Sequence, residues 1–147
     1  YRKLYSLDYV LMYFYNVYGP READYGEHST VIRKFKMDYL QGNPLKIYGT
    51  GRKERDFTHV HDVVQGMLQL MIDPSLPSVA HFGKGEPKTI SSIADSFGHP
   101  VVHTFDRKGE AQRTCCTSPY IECPNDVHEY IKQWVQENKN DSKSRGR

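Results

Sequence analysis

Tyr9-Val10-Leu11-Met12-Tyr13-Phe14-Tyr15, followed by Asn16-Val17-Tyr18-Gly19-Pro20-Arg21, is the stretch that decides the fold. An uninterrupted apolar and aromatic run suits a strand buried on both faces, as in a parallel sheet. Gly19-Pro20 then breaks the run. Upstream, Tyr1 to Ser6 reads as the end of a helix. Downstream, Ser29 is placed to cap a helix that carries Val31, Ile32, Phe35, Tyr39 and Leu40 on one face, and Gly42 is placed to end it. Leu45 to Tyr48 reads as a short strand before the turn Gly49-Thr50-Gly51.

Phe57 to Val60 leads into the clearest helical pattern. Val60, Val63, Val64, Met67, Leu68 and Met71 recur at i, i+3, i+4 and i+7, so they are expected in the core, and Pro74 stops the helix. Val79 to Phe82 reads as a strand. Thr89 is a candidate cap for a helix with Ile90, Ile93, Ala94 and Phe97 inward, ended by Gly98. Val101 to Phe105 reads as another strand. Pro124-Asn125 opens a final amphipathic helix with Val127, Tyr130, Ile131, Trp134 and Val135. The polar stretch 139–147 is expected to be a disordered tail. Strand and helix alternate, which gives the α/β class. Only two strands are apolar enough for a buried centre, so the chain is expected to lend strands to a sheet whose other strands are absent.

Composition narrows the function classes. The chain has 147 residues, 37% hydrophobic and 26% charged, as in a globular domain with a modest core. A formal charge of +2 is too near neutral for a general nucleic-acid or membrane binder. Cys115, Cys116 and Cys123 contain no Cys-x-x-Cys, so free thiols in a reducing cytoplasm are expected rather than a disulfide framework or zinc site. His59 and His61 invite a metal reading with Asp62, but a helix start between them sends the two rings to different faces. No metal site is assigned. No stretch has the length of a membrane span.

Four phrases, taken together, carry a family resemblance. They are Tyr15-Asn16-Val17-Tyr18-Gly19-Pro20-Arg21; Asn43-Pro44-Leu45-Lys46-Ile47-Tyr48-Gly49-Thr50-Gly51 with Arg55-Asp56-Phe57-Thr58-His59-Val60-His61-Asp62; His81-Phe82-Gly83-Lys84-Gly85-Glu86-Pro87; and Arg107-Lys108-Gly109-Glu110. In this order they resemble the C-terminal part of the extended short-chain dehydrogenase/reductases, the NAD-dependent sugar-nucleotide epimerases and dehydratases. The resemblance covers residues 1 to about 114, and it implies a partial Rossmann-like α/β fold that lacks its N-terminal strands. It makes residues 1–138 a substrate-binding part.

The resemblance also implies roles. Arg55 and Arg107 face the sugar-nucleotide diphosphate, a task suited to the forked guanidinium. Asn16 bonds the diphosphate near the nicotinamide, and Glu110 accepts from the ribose hydroxyls. Lys46 and Tyr48 pack the base and ribose, Val31 lines the nucleotide pocket, and His81 stands where the family has an asparagine. Phe14 and Tyr15 touch the nicotinamide side of NAD. Six of these residues also have a purely structural alternative: a salt bridge to Asp56 for Arg55, turn capping for Asn16, core packing for Tyr48 and Val31, and surface charge for Arg107 and Glu110.

The chemistry of the family rests on Tyr-x-x-x-Lys, whose tyrosinate is the base and whose lysine lowers the tyrosine pKa. No tyrosine here has lysine four residues on, and Gly-x-Gly-x-x-Gly is also absent. No catalytic residue is assigned, and both motifs are expected upstream of Tyr1. Tyr13 replaces the family's usual arginine, and the segment from Thr114 to Pro124 is short.

The expected function is therefore the nucleotide-sugar-binding portion of an NAD-dependent nucleoside-diphosphate-sugar epimerase, catalytically incomplete as it stands. A 4,6-dehydratase fragment and a non-enzymatic remnant or complementing subunit are the alternatives. A cytoplasmic homodimer is expected at full length, with no nucleic-acid or membrane partner.

Overall fold

The apolar run becomes the first strand of a small parallel pair. A computed structural model describes residues 2–22, 29–73, 75 and 77–144. The elements are α1 (Arg2–Tyr5), β1 (Leu11–Phe14), β2 (Val17–Tyr18), α2 (Val31–Leu40), β3 (Leu45–Tyr48), β4 (Glu54–Arg55) and β5 (Thr58–His59). There follow α3 (Val60–Ile72), β6 (Val79–Phe82), β7 (Lys88–Thr89), α4 (Ile90–Asp95), β8 (Val101–Thr104) and α5 (Val127–Ser144).

β1 pairs in parallel with β6, from Leu11 opposite Val79 to Phe14 opposite Phe82. β3 pairs in parallel with β8, from Leu45 opposite Val101 to Tyr48 opposite Thr104. The short strands β2 and β5 are parallel, and β4 and β7 antiparallel. Each sheet among the described residues has two strands. The three parallel pairs join strands far apart in sequence, as α/β crossovers require.

Two apolar clusters hold these layers. The larger gathers Ile32 and Phe35 of α2, Leu45 and Ile47 of β3, Ile93 of α4, Phe97, and Ile131 and Val135 of α5. Burying each such large side chain contributes about 1.5–3 kcal/mol. The smaller joins Val63 and Leu70 of α3 to Ala80 and Phe82 of β6.

Four expectations need correction. β1 is not buried on both faces. Leu11, Met12, Tyr13 and Phe14 are all exposed, Leu11 by 51%, because β6 covers one edge and no layer covers the rest. The inward face of α3 is also different. Val63 is buried, but Val64, Met67, Leu68 and Met71 are exposed, while Asp62, Gly66 and Leu70 turn inward. Periodicity finds apolar stripes without saying which one packs within the same chain. Gly66 decides it, since a Cβ there would lie 2.5 Å from Phe82 Cε1.

The third correction concerns caps. Thr30, one residue after Ser29, caps α2, its Oγ1 accepting from Arg33 N at 3.1 Å. α5 starts after Asp126, whose carboxylate accepts from His128 N and Glu129 N, rather than at Pro124-Asn125. The fourth concerns the tail. α5 runs on through residues 139–144, because polar residues without glycine or proline extend an existing helix at little cost. Residues 145–147 lie outside the described residues. Thr89 caps α4, accepting from Ser92 N at 3.1 Å.

Candidate functional site

Between the N-terminus of α2, the outer side of β3, β4 and the loop after β8 lies a cavity of about 330 Å³. Strand alternation builds its floor. Leu45 and Ile47 point into the core, so Lys46 and Tyr48 take the opposite face and reach the cavity. β8 lies beside β3, and its continuation delivers Arg107 and Glu110 to the same wall. β4 supplies Arg55, α2 supplies Val31 and Lys34, and Asn16 enters from the turn after β1.

The lining is strongly cationic. Lys34, Lys46, Lys53, Arg55 and Arg107 face the cavity, against Glu110 as the one carboxylate among its described lining residues. Glu110 Oε2 accepts from Lys53 Nζ at 3.0 Å and lies 3.9 Å from Arg55 Nη2, and Oε1 accepts from Arg107 Nη1 at 3.4 Å. Lys53 also donates to Asp106 Oδ1 at 2.5 Å. Burial pushes the Glu110 carboxyl up, but the hydrogen bonds from Lys53 and Arg107 overcome it and hold the carboxyl below its ordinary value. Lys53 in turn is raised by its bonds to Asp106 and Glu110. The Arg107 guanidinium stacks on the Tyr48 ring, and Phe105 stands edge-on to Tyr48 with 6.1 Å between centroids.

Arg55 does not pair with its neighbour Asp56. Its Nη1 donates to Glu54 O at 2.8 Å, and Asp56 is fully buried on other partners. The Asp56 carboxylate accepts from Lys84 N at 3.1 Å, Gly85 N at 2.9 Å and Cys116 N at 2.8 Å. It thereby ties two loops beneath the strand that carries Arg55. Asn16 occupies a positive φ of 33° and donates to Asp56 O at 2.7 Å, as a turn-capping residue does, and it also lines the cavity.

Seven residues singled out in the sequence thus converge: Asn16, Val31, Lys46, Tyr48, Arg55, Arg107 and Glu110. Three do not line this cavity. His81 sits on β6, stacked 5.1 Å from Tyr13 and 3.4 Å from Tyr15 Oη through its Nδ1. Phe14 packs against Phe82, and Tyr15 lies beside His81. They belong to the β1–β6 pair, which is a different sheet from β3–β8. Sequence reasoning missed Lys53, Lys34, Thr30, Phe35 and Ile90. Lys53 had a signal: it precedes Arg55 by two residues in extended chain, where alternate residues share a side.

His59 is buried and His61 exposed, their rings edge to face at 4.8 Å. Among the described residues no three His, Cys, Asp or Glu side chains are grouped to hold a metal ion. The three cysteines are free thiols. Within the described residues no helix is long and apolar enough to cross a membrane.

Comparison with known proteins gives the family and the fold. Residues 1–81 match the model of the NAD dependent epimerase/dehydratase family. The chain is 32% identical over 104 residues to a UDP-N-acetyl-alpha-D-glucosaminuronate decarboxylase of Bacillus cytotoxicus, a match over 71% of this chain and 32% of that protein. It is 31% identical over 121 residues to an uncharacterised UDP-glucose epimerase of Bacillus subtilis, over 78% of this chain and 37% of the relative. Its fold is similar to the crystal structure of UDP-glucose 4-epimerase with UDP-glucose from Thermotoga maritima, with a TM-score of 0.80 and 27% identity, covering 95% of this chain and 48% of that one. The chain therefore spans half or less of the length of these relatives.

Proposed function

This chain belongs to the NAD dependent epimerase/dehydratase family, and we propose that it is the nucleotide-sugar-binding part of an NAD-dependent nucleoside-diphosphate-sugar epimerase. The observation that carries the reading is the cavity itself. Lys34, Lys46, Arg55 and Arg107, with Glu110 as the one carboxylate among the described lining residues, suit a diphosphate, and the half-buried ring of Tyr48 suits a base. Arg55 and Arg107 grip the diphosphate, Asn16 donates to it, and Glu110 accepts from ribose hydroxyls. Val31, Lys46 and Tyr48 hold the nucleoside end.

NAD fits these residues only in part. Phe14 and Tyr15 offer aromatic faces to a nicotinamide, but the 147 residues contain no Gly-x-Gly-x-x-Gly turn to cradle its pyrophosphate. The cofactor, when bound, supplies hydride acceptance at the sugar. The chain's own residues bind and orient the nucleotide, and none of them is assigned a proton-transfer step.

In this reading an α/β unit carrying the rest of the NAD site adds its strands to the open edge of β1. It also covers Val64, Leu68 and Met71 of α3, which are 45%, 50% and 81% exposed. Three free thiols suit a reducing cytoplasm. The same cavity would serve a 4,6-dehydratase, since the groups that distinguish epimerisation from loss of water lie beside the missing base.

The test is calorimetric titration of the UDP, dTDP, GDP and ADP nucleotides and their sugars into the product of the full reading frame, beside an Arg55→Ala control. Binding by the parent protein and its loss in the control supports the reading. Absence of binding by the parent protein ends it.

A further inference from the structure

Lys53 is the most enclosed cation of the cavity, only 6% exposed. Its ammonium reaches two carboxylates four residues apart, Asp106 and Glu110. Those two bracket Arg107 in the loop after β8. A buried ammonium so engaged has little capacity left for a ligand, and acts through the groups it holds. We propose that Lys53 is the positioning residue of this cavity, fixing Arg107 and Glu110 by tying both ends of their loop to the segment that enters β4.

Three observations support it. Lys53 is itself anchored, its carbonyl accepting from Ile90 N at 3.0 Å at the start of α4. The Asp106 end of the loop is seated closely, since Gly49 has φ +75° and a Cβ there would lie 2.9 Å from Asp106 Cγ. Finally, Glu110 faces three cations from separate places: Lys53, Arg55 on β4, and Arg107 in its own loop. Of these, Lys53 makes the shortest contact and is the most buried. Removing the ammonium leaves Asp106 without its pinning bond and Glu110 with the two longer contacts. Arg107 then loses the fixed loop that keeps it over Tyr48.

The consequence for nucleotide binding rests on the function proposed above, so the experiment has two arms, both on the full-reading-frame protein. The first needs no ligand: a carbon-13 NMR titration of the Glu110 carboxyl. Lys53→Met should raise its midpoint, and Lys53→Arg should return it toward the parent value. The second is the affinity for UDP as a function of pH. Lys53→Met should weaken it about 10-fold and add a further loss in weak acid, as Glu110 becomes protonated. Lys53→Arg should recover most of the affinity, which a merely space-filling lysine would not predict. Lys53→Gln serves as a second charge-free variant if Lys53→Met does not fold.

An unmoved Glu110 midpoint overturns the inference. So does UDP affinity in Lys53→Met equal to that of the parent protein at every pH. A raised midpoint in a protein that never binds UDP keeps Lys53 as the anchor of the loop and removes the uridine-nucleotide reading instead.

Discussion

The guanidinium carbon of Arg107 lies 3.6 Å from the centroid of the Tyr48 ring. Such a stack holds the arginine flat while its edges remain able to donate. Tyr48→Leu keeps the bulk of the side chain but removes the ring face. It should weaken UDP binding by about 3- to 10-fold, the range expected from loss of a cation–π contact. Calorimetry checks this, and an unchanged affinity would show that the stack does not prepare Arg107.

Arg55 has one guanidinium nitrogen on Glu54 O and another 3.9 Å from Glu110. This fixes the plane of the group toward the cavity. Arg55→Lys keeps the charge and loses the fork, so it should bind UDP only slightly better than Arg55→Ala, with both at least about 10-fold weaker than the parent protein. Full recovery with lysine would mean that charge alone matters at this position.

Asp56 accepts three backbone N–H groups and is fully buried. Asp56→Ala leaves those donors without a partner and should cost about 3 kcal/mol or more, read from chemical denaturation. The loss should appear without nucleotide, because the carboxylate anchors loops rather than ligand.

Acid should destabilise the fold in two stages. Burial, and then neighbouring His61, hold His59 below its ordinary pKa, and burial lowers His128. The unfolded chain therefore binds more protons below the ordinary histidine value, so stability falls until the pH passes the lowered native values. Glu110 and Asp106 are also depressed in the fold. Their contribution is present above the ordinary carboxylate value and is lost as pH falls through their native values. Thermal melts across weakly acid pH check both stages. His59→Gln should shrink the first to the share of His128 and leave the second.

The exposed residues of β1 and α3 should make the isolated 147-residue chain sticky. Leu11 is 51% exposed, Met71 81% and Ile72 82%. Apolar surface beside an open strand edge favours self-association. Met71→Lys with Leu68→Lys should reduce light scattering of the isolated chain, and should weaken its association with a complementary NAD-binding unit. A dispersed, cooperatively melting parent chain would contradict this.

Most of the elements were legible because their signals are local. Thr89 before Ile90 announces α4, and the Leu45–Tyr48 alternation sends Lys46 and Tyr48 to the cavity side. The two-residue strands β2, β4, β5 and β7 were not legible, since no period fits in two residues. The inward face of α3 was misread because it is set by the fit of Gly66 on Phe82, a contact between elements. The cavity was legible through its family phrases, but the link from Lys53 to Asp106 and Glu110 spans more than fifty positions and exists only once β3 and β8 pair. Tyr13 and His81, two departures from the family pattern, turn out to be cross-strand partners with stacked rings. One unusual residue thus faces the other.

Asn16 stands two residues beyond the end of β1, in a left-handed turn, with its amide on the backbone of Asp56. The strand with the open edge and the wall of the cavity are therefore one continuous piece of chain. That continuity gives the two places a route for thermodynamic linkage. If docking on the edge of β1 changes how Asn16 is presented, a ligand that prefers the docked presentation must tighten the docking by the same factor. If the proposed nucleotide site and docking edge both hold, assembly would be firmer where the nucleotide is abundant and weaker where it is scarce.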